Sequence, residues 1–119
     1  MTSCALISLP LFRLAHGRTG DKGNRSNISV IAYHPLLWPV IEAQVTAERV
    51  AAHFAARSPS KVARHVLPRL QALNFVLDDV LEGGVNSALN LDSHGKALAF
   101  DLLQMDIALP ADLLVHCKA

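Results

Sequence analysis

Along the first third of the chain, apolar residues come in three different spacings. Residues 7–15, rich in Leu, Ile and Phe, predict a first strand, with Pro10 marking an edge or a late start. From Asn27 to Tyr33 the pattern alternates, with Ile28, Val30 and Ala32 on one face and Asn27, Ser29 and Ile31 on the other, as a half-buried strand requires. Leu37, Ile41 and Val45 then recur at the spacing of a helix face, with Pro39 tolerated near its start. Thr46 predicts an N-cap, followed by Glu48 in the first turn of a second helical segment that carries Val50 and Phe54 inward. "RSPS" at 57–60 ends that segment.

The second half continues with two strands in succession. Residues 61–67 form an imperfect alternation; Leu73, Phe75 and Leu77 against Asn74, Val76 and Asp78 form a cleaner one, so the two imply a hairpin. "EGGVN" at 82–86 is turn chemistry, Asp92 or Ser93 can cap a helix running through Leu98 and Leu102, and Met105, Ile107 and Leu109 alternate in a last strand. The order is β-βαββαβ. Behind the additional N-terminal strand it predicts an α+β, ferredoxin-like βαββαβ sandwich, an antiparallel or mixed sheet with helices on one face. The other face, with Ile31, Tyr33 and Val76, is left for a second subunit to cover, which predicts a homo-oligomer.

With 119 residues, 51% of them hydrophobic, and neither a repeat nor a low-complexity linker, the chain fits one domain spanning 1–119. A net charge of +1 gives no bulk attraction to nucleic acid or to a membrane surface, so neither is expected as a partner. The uncharged run from Ser26 to Ile41 is broken by Pro35 and Pro39 and is too short to span a bilayer. The N-terminus lacks a basic region ahead of its apolar residues and reads as mature protein. Cys4 and Cys117, one near each end and without a CxxC, suggest neither a disulfide framework nor zinc, and point to a reducing cytoplasm.

Between the apolar runs lies "HGRTGDKGNRSN", residues 16–27, which reads as a polar glycine loop. It is no P-loop, because Lys22 precedes Gly23 and Asn24 and a strand follows rather than a helix. A dinucleotide fingerprint fails for the same reason, and the GXXG of KH domains requires flanking helices. What is left is anion chemistry: glycines that permit a backbone nest, with Arg18, Lys22 and Arg25 for charge. The candidate ligand-binding residues are Arg18, Thr19, Gly20, Asp21, Lys22, Gly23, Asn24 and Asn27, and the expected ligand is a small anionic metabolite. Were the protein an enzyme, Asp21 would serve as base and Lys22 or Arg18 would steady an oxyanion. A tight polar turn held by Asp21 is the alternative reading.

Other constellations add little. His16, His34, His53, His65, His94 and His116 contain no HxH, HExxH or i,i+4 pair, and no metal or cofactor is expected. Asp78, Asp79 and Glu82 fit a solvated hairpin end, and neither cysteine has a neighbouring base. Arg49, His53 and Arg57 make a basic helix stripe, either solvated or an extension of the anion site.

"AHGRTGDKGNRSNISVIA", "VTAERVAAHF", "LPRLQALNFVL", "GGV" and "GKALAFDLLQMDIALP" together resemble the ferredoxin-fold domain of AtuA-like, acyclic-terpene-utilisation proteins over about residues 10–110. Thr19 stands where that family often has Ser and keeps the hydroxyl, while Arg25 and Ser29 replace residues that are often small. The resemblance implies a context in the catabolism of acyclic terpenes and branched acyl-CoA compounds. It also implies work beside a large AtuA-like domain, here expected as a separate partner subunit. Three readings follow: an accessory, ligand-binding subunit, which leads; an enzyme on an acyl-CoA or carboxylate; and a structural assembly module.

Overall fold

The computed structural model describes residues 5–22, 25–55, 61–78 and 98–118. The run 7–15 is not one strand. Strand β1 (Leu6–Pro10) stops at Pro10, which caps a 3-10 turn, Leu11–Arg13, and strand β2 begins at Ala15. A proline can neither donate to a ladder nor leave its fixed φ, so it breaks the run that its apolar neighbours suggested. The turn is anchored by its own backbone: Leu11 N–H donates to Met105 O (2.8 Å) and Phe12 N–H to Leu103 O (2.9 Å).

Strand β2 (Ala15–Lys22) runs through the glycine segment and pairs with β3 (Arg25–Ala32). Helices α1 (Trp38–Gln44) and α2 (Ala47–His53) follow, then β4 (Lys61–Leu67) and β5 (Ala72–Asp78). A helical segment at 98–102 leads to β6 (Asp106–Pro110) and a 3-10 helix, Ala111–His116. The expected cap at Asp92 or Ser93 and the turn at 82–86 lie outside the described residues, as do Arg57, Asp79 and Glu82.

The architecture is α+β and ferredoxin-like. One sheet has the order β2-β3-β5-β4, antiparallel throughout; β1 and β6 pair separately as an antiparallel ribbon. The last strand therefore does not join the large sheet, and β2 takes the outer place beside β3. Alternation sets the faces as expected. Ile28 and Val30 of β3 and Leu73, Phe75 and Leu77 of β5 are fully buried, packed with Trp38, Ile41, Val50, Phe54, Leu98 and Leu102. Each large side chain so buried contributes about 1.5–3 kcal/mol before entropy is charged.

Two local devices fix the helices. Thr46 accepts the Arg49 N–H on its hydroxyl (3.1 Å) and starts α2 as its sequence position predicts. Gln44, at the end of α1, acts as a short piece of strand: its amide donates to Ala108 O (2.6 Å) and accepts from Ala108 N–H (2.8 Å). Arg49 adds a bond to Asp106 O (2.8 Å), so side chains satisfy the outer rim of β6.

Candidate functional site

The glycine segment is a strand because its neighbours demand small residues there. A Cβ on Gly17 would stand 3.3 Å from Ser29 O, 3.5 Å from Leu103 Cδ1 and 3.7 Å from Ala99 Cβ. The helical segment thus packs directly onto the backbone of β2. Gly20 instead makes room for Asn27: a Cβ there would lie 3.0 Å from Asn27 Oδ1. Ser26, almost fully buried, donates its hydroxyl to Gly20 O (3.2 Å). The loop expected over 16–27 is corrected to a β-hairpin, and Gly20 shapes no nest, since it is an ordinary paired strand residue opposite Asn27.

The register distributes the candidate residues. On the sheet face away from the helices, the pairing makes transverse rows: His16–Ile31–Ala72–Leu67, Arg18–Ser29–Asn74–His65, and Gly20–Asn27–Val76–Ala63. A fourth row of paired positions is Lys22–Arg25–Asp78–Lys61. Arg18, Asn27 and His65 are exposed, and at the centre Asn74 donates to Ser29 Oγ (2.9 Å). Strands lie about 4.8 Å apart, which puts Arg18 and His65 about 14 Å from each other, too far for one small anion to touch both. Of the two, Arg18 stands at the β2 end of the row and His65 at the β4 end.

Thr19 belongs to the opposite face, where its Oγ1 is buried without a hydrogen-bond partner among the described residues. Asp21 and Lys22 are consecutive positions of β2, paired with Ser26 and Arg25 of β3. Gly23 and Asn24 lie outside the described residues.

Of the basic helix stripe, Arg49 and His53 are engaged within the fold, and Arg57 lies outside the described residues. Arg49 is spent on Gln44 O (3.3 Å) and Asp106 O, and His53 Nε2 meets the Asp101 carboxylate at 3.1 Å. Among the described residues no three of His, Cys, Asp and Glu cluster as a metal site. Burial pushes the Cys117 thiol above its ordinary pKa, partly opposed by Arg13, which leaves it a poor nucleophile at neutral pH. Cys4 is outside the described residues. No helix is long and apolar enough to cross a membrane among the described residues.

Sequence reasoning passed over a ring cluster at the other end of β2. His16 stacks on Tyr33 with centroids 5.3 Å apart, and Lys118 Nζ lies 5.2 Å from the centre of the same Tyr33 ring. His34 stacks on His116 at 3.9 Å. Only the alternation around Tyr33 hinted at its exposure; the pairing with His16 needs the register.

The family model described as AtuA ferredoxin-like domain matches residues 9–108. Comparison with curated proteins and with solved structures gave no match.

Proposed function

The chain belongs to the AtuA ferredoxin-like domain family, and from that premise we propose that it is an accessory, ligand-binding subunit whose β2–β3 hairpin holds an anionic group beside a large partner subunit. The context is the breakdown of acyclic terpenes and branched acyl-CoA compounds in the cytoplasm. The observation that supports this reading most is the Arg18 row: an exposed guanidinium with no ion-pair partner among the described residues, next to a hydroxyl and an amide already ordered by their mutual bond. A charge-assisted bond from Arg18 is stronger than one between neutral groups, and its exposure makes it sensitive to salt.

Calorimetric titration with phosphate, coenzyme A and small carboxylates, at low and moderate salt, tests the reading. Wild type is expected to bind, Arg18→Gln and Lys22→Met to bind several-fold more weakly, and all binding to weaken as salt rises. Absence of anion binding by the wild type, alone and with its partner subunit, or equal binding by both variants at every salt concentration, refutes it.

A further inference from the structure

A cleft runs along the outer side of β2, between that strand and the helical segment 98–102. One part, about 440 Å³, is lined by Gly17, Arg18, Thr19, Ala99, Phe100 and Leu103. A second, about 520 Å³, shares Gly17, Phe100 and Leu103 with it and reaches Phe12, Tyr33 and Lys118. From Ala15 to Thr19 the strand rises about 14 Å, the length available to an extended ligand.

The two ends differ in chemistry. Tyr33 N–H donates to Leu14 O (3.0 Å) and Ala32 N–H turns the other way, to Gln71 O (3.0 Å), which fixes the phase of the β2–β3 ladder. Alternation along the register then turns the N–H groups of Ala15, Gly17 and Thr19 away from β3 and out over the rim of the sheet. At the Thr19 end those N–H groups meet the buried Thr19 hydroxyl and the Arg18 guanidinium, neither of which has a partner among the described residues. A buried hydroxyl without a bond costs about 1–3 kcal/mol, which a ligand oxygen would recover. The middle of the cleft is apolar, and Phe100 stands 66% exposed with Phe12 40% exposed. No Asp or Glu lines either part among the described residues. At the far end Lys118 is already engaged over Tyr33.

We propose that this cleft binds an apolar carboxylate, its headgroup at Arg18 and Thr19 and its hydrocarbon body lying over Gly17 towards Phe12 and Tyr33. The proposal rests on the anion-binding reading of Arg18 and adds to it the class of ligand. Ala99 and Leu103, packed onto Gly17, floor the cleft, and Phe100 covers the body from the helix side.

The test is calorimetry on the full chain with decanoate below its micellar concentration, decylammonium, and inorganic phosphate, using wild type, Phe100→Ser and Arg18→Gln. Phe100 is a surface residue, so its replacement leaves the fold in place, which circular dichroism checks. Decanoate is expected to bind and decylammonium not; Phe100→Ser should weaken decanoate about tenfold and leave phosphate unchanged, whereas Arg18→Gln weakens both. Phosphate binding without decanoate binding, or decanoate binding that ignores Phe100→Ser, overturns the cleft alone. A dimer that Phe100→Ser dissociates, with no decanoate binding, shows a second copy in the cleft and also overturns it. Failure of both ligands to bind removes the anion reading together with the cleft.

Discussion

Gln44 does more for this fold than its surface position suggests. Its amide returns both backbone bonds of Ala108, so Gln44→Leu strips a donor and an acceptor from β6 at once. The expected loss is about 1–3 kcal/mol, because each net bond contributes about 0.5–1.5 kcal/mol. Urea unfolding followed by circular dichroism measures it. Gln71 presents the opposite case: it closes the turn after Pro68–Leu70 at φ 52°, a left-handed conformation that costs a side chain energy. Gln71→Gly should leave stability equal or raise it by up to about 1 kcal/mol in the same assay, while Gln71→Val should lower it.

At the scale of the element, the β2–β3 hairpin explains where sequence reading succeeded and where it failed. β3 and β5 were legible because one face of each carries large apolar residues, Ile28 and Val30 or Leu73, Phe75 and Leu77, and α2 was legible from Thr46. In β2 the inward positions are Ala15, Gly17 and Thr19, small because a helical segment presses on the strand, and an inward face without bulk leaves no period to detect. The same pressure makes Gly17→Val a test: it should destabilise the protein by about 1–3 kcal/mol through overpacking against Ser29 O and Leu103, with Gly17→Ala nearer the wild type. Of the candidate site, composition singled out Arg18 and Asn27, both exposed in the structure. Ser29 and Asn74 escaped, because their bond depends on which strands are neighbours, and no local pattern encodes that.

For the whole molecule, the helices among the described residues all pack on one side of the large sheet. The radius of gyration, 14.9 Å, exceeds the roughly 13.5 Å expected of a compact chain of this length. Towards one end of the other face, Leu67 (39% exposed) closes the Ile31 row, and Leu70 (67%) follows in the 3-10 turn. Apolar surface so placed favours a symmetric partner. The expected outcome is a dimer or larger assembly by light scattering at micromolar concentration, shifted towards monomer in the Leu67→Asp, Leu70→Asp double variant. A monodisperse wild-type monomer would count against it.

The separate pairing of β1 with β6 reaches beyond the finished structure to its making. Leu6 and Pro110 face each other across more than a hundred residues, and β1 has no other strand partner among the described residues. Closing so long a loop costs entropy that only the finished ribbon returns. On the ribosome, β2 to β5 can pair as soon as residue 78 has emerged, whereas β1 waits for β6. A nascent chain stalled just short of Asp106 would therefore hold a formed sheet beside an unpaired, apolar β1, which makes the interval before β6 emerges the time when this domain most needs a chaperone.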